Sequence, residues 1–189
     1  MLEKFGITKS ISLRPSSCDI KSIPNTKEKV NLLNNFHIQG NRNSKINLAA
    51  YHNDKIVAVM SFDKPSRQNS GDFEISRMCS NTEYRIHGIW SKLLKFAINE
   101  KLINGKIYSF SDNRFSEGKV YEKMGFDLEK ELKPDYYWTK NKLRNHKSKM
   151  RKNDEAKLLD LSETQYWESK GWNKIWDMGK KKWSVNIEF

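Results

Sequence analysis

Apolar and polar positions follow one another along this chain in a rhythm that predicts short strands alternating with helices. Residues 10–23, punctuated by Pro15 and Pro24, read as an irregular or extended start. Thr26 stands where a hydroxyl can accept from the free N–H groups of a first helical turn. A helix is therefore expected over residues 27–36, with Val30, Leu33 and Phe36 on its apolar face. Two β-rich runs, 46–51 and 55–62, flank His52-Asn53-Asp54 and predict a hairpin. A polar loop at 63–71 leads to a strand over 72–79.

The second half continues the pattern. Trp90, Leu93, Leu94, Ala97 and Ile98 make the stripe of a helix expected over 86–103, with Gly105 as its stop. A strand at 106–111, a short helix at 115–124 closed by Gly125, and strands near 126–132 and 135–140 follow. A helix is expected through Tyr166 to Lys170, and residues 172–185 read as a small β-ribbon. This order implies an α/β fold with a mixed, mainly antiparallel central sheet and helices on both faces. Residues 1–140 read as the main domain. Residues 141–189 read as a basic, Trp-rich C-terminal extension docked on it.

Composition changes the picture through charge. The formal net charge is +12 and the isoelectric point about 9.6, which favours polyanionic partners because lysine and arginine release counterions from phosphates. Lys140, Lys142, Arg144, Lys147, Lys149, Arg151 and Lys152 crowd one stretch without an acidic residue and are the candidate DNA-binding residues, duplex DNA being the expected partner. A merely solvated basic face is the competing reading. Cys18 and Cys79 form no CxxC pair, and His52, His87 and His146 have no metal-ligand spacing, so no metal is expected. With no long apolar run, no membrane partner is expected, and the chain reads as cytoplasmic.

Two segments have the residue types that chemistry needs. Arg85-Ile-His87-Gly88-Ile89-Trp90 precedes the predicted helix, where backbone N–H groups and the helix dipole can hold a pyrophosphate once glycine lets the main chain approach. A cap without ligand is the alternative. Asp112, at a strand end, and Tyr121, on a short helix, are candidates for base and acid. Asp112 as a helix cap and Tyr121 as core packing stay open beside that reading. His37 follows the first helix and is either catalytic or a structural hydrogen-bonding residue.

Residues 85–90 resemble the Arg-x-x-Gly-x-(Gly or Ala) signature of GNAT N-acetyltransferases, with Trp90 in place of the last small residue. Across nearly the whole chain, Phe36-His37-Ile-Gln-Gly40, Arg77-Met-Cys79, Ser109-Phe-Ser-Asp112-Asn-Arg114, Tyr121-Glu-Lys-Met-Gly-Phe126, Lys133-Pro-Asp-Tyr-Tyr-Trp138 and Gly171-Trp-Asn-Lys-Ile-Trp-Asp177-Met-Gly179 resemble a GNAT-like module of phage proteins. That module is often fused behind a homing-endonuclease-like nuclease. The same core resembles, distantly, the Mom family of phage DNA-modification proteins. The resemblance implies acetyl-CoA or a related acyl-CoA as cofactor, bound by Arg85, His87, Gly88 and Ile89. It implies Arg77, Ser91, Asp112 and Tyr121 as site residues, and places His37 in the same cleft. For a phage-encoded chain the cytoplasm would be that of the infected host. Three functions follow as expectations: an acyl-CoA-dependent or Mom-like modifier of DNA bases, a non-catalytic GNAT-like DNA-binding module, and a small-molecule or protein N-acetyltransferase.

Overall fold

The computed structural model describes residues 10–65 and 71–188, so residues 66–70 of the expected polar loop lie outside the described residues. In chain order the strands and helices are β1 (Ile11–Leu13), β2 (Asp19–Ser22), α1 (Lys27–Phe36), β3 (Ile46–His52), β4 (Lys55–Asp63), β5 (Phe73–Ser80) and β6 (Tyr84–Ile86). Then come α2 (Ile89–Asn99), β7 (Gly105–Asp112), α3 (Lys119–Lys123), β8 (Asp127–Leu132), β9 (Tyr136–Lys140) and β10 (Leu143–His146). The chain closes with α4 (Asp154–Leu158), α5 (Glu163–Ser169), β11 (Asn173–Trp176) and β12 (Lys180–Ile187).

Seven strands form the central sheet in the order β2-β3-β4-β5-β7-β12-β8. The pairs β2–β3, β3–β4 and β4–β5 are antiparallel and β5–β7 is parallel, which makes the sheet mixed and mostly antiparallel. The final strand is therefore not part of a terminal ribbon: β12 takes a place between β7 and β8, and only β11 joins the small sheet β10-β9-β11. Sequence rhythm identifies a strand but not its neighbour, because pairing is a long-range choice.

Alternation along β3 and β4 sends side chains to two separate cores. Leu32 and Leu33 of α1 pack with Ala49, Ile56, Val59 and Cys79 in one cluster. Ile89, Leu93, Leu94 and Ala97 of α2 pack with Leu48, Ala50, Ala58, Met60 and Phe62 in the other. The hairpin turn forms where expected, with Asn53 and Asp54 at positive φ, the conformation that Asn and Asp tolerate best among side-chain-bearing residues.

Several expectations need correction. The buried face of α1 is Lys29, Leu32 and Leu33, whereas Phe36 is exposed. The helix expected over 86–103 starts at Ile89, because Tyr84–Ile86 pairs as a parallel strand with β1. It ends at Asn99, since Lys101 itself adopts positive φ, and Gly105 opens β7. The helix expected from 115 begins only at Lys119.

The chain divides into two compact units. Unit 1 comprises Met1–Ser109, Lys119–Leu128 and Trp183–Phe189, and unit 2 comprises Phe110–Gly118 and Glu129–Lys182. In unit 2, Trp138, Met150, Ala156 and Tyr166 are buried. Its inserted segment is closed by Asp177, whose carboxylate Oδ1 accepts from the N–H groups of Asp135 at 2.8 Å and Gly179 at 2.9 Å. One buried side chain thus ties the start of the excursion to its end.

Candidate functional site

Within unit 1 the sheet opens beside β5. This strand pairs with β7 at Phe73↔Ile107 and Glu74↔Tyr108. On its other side β5 carries a bulge: Ser61 faces Arg77 and Phe62 faces Ile75, so Ser76 is the extra residue. A bulge bends its strand and raises the local twist, which turns β5 away just as its pairing with β7 stops.

The fork is marked by a short hydroxyl chain. Ser109 Oγ lies 3.1 Å from the Ile75 carbonyl oxygen and 2.9 Å from Tyr121 Oη. A serine has one hydroxyl proton, and the carbonyl can only accept it. The tyrosine must then donate to Ser109, which donates to Ile75. Tyr121 is held by stacking on Trp183, ring centroids 6.0 Å apart, and by an edge contact with Phe126 at 5.9 Å. Burial raises its pKa, the Ser109 hydrogen bond opposing that shift in part, so the phenol keeps its proton at neutral pH. Tyr121 is thus packed in the core, with its hydroxyl on Ser109.

Beyond β5 and β6 the chain turns at Gly88, which caps α2 with φ +83° and offers no side-chain hydrogen bond to the helix. A Cβ there would meet only an ordinary contact with Pro15, so glycine is needed for its backbone conformation rather than for space. Among the described residues the N–H groups of Ile89, Trp90 and Ser91 have no acceptor, while Lys92 N–H returns to the Gly88 carbonyl. The first turn has no acidic residue. Lys92 Nζ donates to the carbonyls of Pro15 at 2.8 Å and Cys18 at 2.6 Å, which fixes a positive charge beside that turn. Arg85 and His87 are exposed and Ser91 is half-buried. Trp90, the departure from the signature, packs against the core cluster with part of its ring. Free donors, the helix dipole and local positive charge are the features that anion binding at a helix N-terminus uses.

A second cluster in unit 1 brings His37 and Arg77 together. Arg77 donates from Nε to the Gly40 carbonyl at 2.9 Å and from Nη1 to the Ser76 carbonyl at 2.6 Å, so it grips the loop after α1 and the bulge at once. His37 Nδ1 accepts from Gln39 N–H at 3.1 Å. Burial first and the Arg77 charge second depress its pKa to about 4. The ring is therefore neutral, with its proton on Nε2. The loop is held further by buried Lys29, whose Nζ donates to Asn25 Oδ1 at 2.6 Å and to the Arg42 carbonyl at 2.7 Å. Burial lowers the pKa of this lysine. Asn41 Oδ1, in the same loop, is a buried acceptor with no hydrogen-bond partner among the described residues.

Asp112 belongs to unit 2, where its carboxylate is engaged by Arg114: Nη2 donates to Oδ2 at 2.6 Å, and Nε and the backbone N–H both donate to Oδ1 at 3.0 Å. These hydrogen bonds hold Asp112 below the usual carboxylate range. The basic stretch divides by role. Lys140 donates to the Lys170 carbonyl at 2.7 Å, Lys147 pairs with Asp135 at 2.7 Å, and Arg144 stacks 4.0 Å above the Tyr137 ring. Lys142, Lys149, Arg151 and Lys152 are exposed and have no ion pair among the described residues. Among those residues no group of three or more His, Cys, Asp or Glu side chains is placed to hold a metal ion. Among the described residues no helix is long and apolar enough to cross a membrane.

The sequence alone assigns no role to Ser109, Ser76 or Lys92. The available signal was the alternation of Ile107, Ser109 and Ser111 along β7, which puts small hydroxyls at positions that the sheet buries.

By sequence, no family model and no curated protein match this chain. The fold has clear counterparts. The ribosomal-protein-S18-alanine N-acetyltransferase of Escherichia coli superposes with a TM-score of 0.56 at 11% identity, covering 91% of this chain and 95% of its own. A Bacillus subtilis acetyltransferase in complex with CoA gives 0.54 at 14% identity, with coverage of 90% and 99%. A GNAT family acetyltransferase from Elizabethkingia anophelis with acetyl-CoA bound gives 0.52 at 15% identity, with coverage of 90% and 99%. The fold is that of the GNAT acetyltransferases.

Proposed function

We propose that this protein transfers an acyl group from acyl-CoA to the amine of a small molecule or a protein. The observation that carries the reading is the joint presence, in unit 1, of the β5–β7 fork and of an α2 N-terminus whose first N–H groups are free. The solved structures of this fold with CoA or acetyl-CoA bound support that use of it. The residues present fit such a cofactor. The N–H groups of Ile89, Trp90 and Ser91 would hold its pyrophosphate, with Gly88 shaping the turn, Arg85 and Lys92 supplying positive charge and the exposed His87 ring beside them.

Bound acyl-CoA supplies an activated thioester to the amine. The chain contributes position and a proton. Among the described residues β5 pairs with β7 no further than Glu74, and the edge beyond offers main-chain hydrogen bonds to an extended ligand. Tyr121 Oη holds a proton at neutral pH and is the acid of the site, with Ser109 orienting it. Arg77 and the Nε2–H of His37 give donors for the acceptor substrate. The test is turnover with acetyl-CoA over a panel of amines, read as free thiol. Tyr121→Phe keeps the packing and removes the proton. It is expected to lower kcat about a hundredfold while leaving acetyl-CoA affinity nearly unchanged. An unchanged kcat would remove Tyr121 from the chemistry.

A second reading makes a DNA base the acceptor, in the manner of the phage-type and Mom-like resemblance. The four unpaired cations at Lys142, Lys149, Arg151 and Lys152 favour it. It requires product formation that depends on added DNA, and an amine acetylated equally well without DNA would exclude it.

A further inference from the structure

In unit 2 the registers of the small sheet put Tyr137 opposite His146 on one side and Ile175 on the other, and Thr139 opposite Arg144 and Asn173. Directly opposed residues in an antiparallel pair point to the same face. One face therefore displays Tyr137, Thr139, Arg144, His146, Asn173 and Ile175. The other face holds Trp138, which is fully buried, and Tyr136, under Lys174 and Trp176.

The first face is open. Arg144, His146 and Asn173 are exposed and Ile175 is 48% exposed. Its centre is a set of planar groups: the Arg144 guanidinium lies 4.0 Å above the Tyr137 ring, and the His146 ring meets the same tyrosine edge-on at 5.3 Å. Arg144 is itself exposed, so the guanidinium above the tyrosine ring is within reach of a ligand. Lys142 precedes β10, and Lys149, Arg151 and Lys152 follow it, all exposed and without an ion pair among the described residues.

We propose that this face binds single-stranded nucleic acid, with a base stacked on the Arg144–Tyr137 pair and the flanking lysines and arginine on the phosphates. Charge sets the sign of the ligand. Planar groups at the centre select one with exposed π-faces, since bases stack on aromatic rings and guanidinium planes in open-sheet readers of single strands. An intact duplex hides its base faces, and its grooves take a helix or a ribbon rather than a flat sheet. The inference stands apart from the acyltransferase reading and needs no turnover.

The test is fluorescence anisotropy of the full chain with short labelled oligo(dT), without cofactor, over a range of salt. Affinity should fall linearly with salt on a double-logarithmic plot. Arg144→Lys keeps the charge and loses the plane: binding should weaken roughly tenfold with the salt slope retained. Lys157→Gln removes one charge from α4, away from this face, and should have a minor effect. Thermal unfolding verifies that both variants are folded. The proposal is overturned if Arg144→Lys binds as tightly as the unsubstituted chain. It is overturned equally if polyglutamate of matching charge competes as well as oligo(dT), the mark of an acidic partner, or if a duplex of the same length binds more tightly.

Discussion

His37 shows how one side chain can be fixed chemically by its surroundings. Its ordinary pKa of 6.5 falls to about 4 through burial, with Arg77 adding to the effect. Between those two values the unfolded chain binds a proton that the folded ring refuses. The stability that depends on the neutral ring is thus complete above about pH 6.5 and is lost as pH falls towards about 4. The melting temperature should drop over that interval, and His37→Gln, which cannot titrate, should flatten the drop. A variant that loses stability as steeply as the unsubstituted chain would assign the transition to another group. The same environment defines what the ring can do for a substrate. With Nδ1 occupied by Gln39 N–H, it offers a donor at Nε2 rather than a base.

At the scale of elements, local chemistry decided what was legible. Thr26 caps α1 through Lys29 N–H as its position predicts, and the Asn53–Asp54 turn forms the hairpin, because both signals act over three or four residues. The start of α2 lies three residues beyond the expected one, since its cap is a left-handed glycine without the hydroxyl or carboxylate that usually announces a helix. The fork between β5 and β7, and the contact of Tyr121 with Ser109, depend on register between distant strands and leave no local trace. Asp177 is an element-scale device of the same kind, reaching Asp135 42 positions away. Asp177→Ala leaves the N–H groups of Asp135 and Gly179 without their acceptor and should cost about 2–3 kcal/mol of stability, against a smaller loss for Asp177→Asn, which keeps one oxygen. Denaturant unfolding followed by tryptophan fluorescence measures both. Equal stability of the alanine variant would show that the ends of the inserted segment need no tie.

For the molecule as a whole, some of the cations behind the net charge of +12 serve internal roles, Lys29, Lys92, Lys140 and Lys147 among them. The fold was the more legible property, since the succession of elements implies it even at identities between 11% and 15% to its structural counterparts. The central claim is that the α2 N-terminus of this fold remains an acyl-CoA site despite Trp90. Calorimetric titration with acetyl-CoA tests it, comparing the unsubstituted chain with Ser91→Asp. An acidic residue in a first turn suits the helix dipole, so the variant should fold, yet its charge opposes a pyrophosphate at the same N–H groups. The account predicts micromolar binding by the unsubstituted chain and a loss of about tenfold or more in Ser91→Asp. No heat of binding from the unsubstituted chain, or equal affinity in the two proteins, would contradict it.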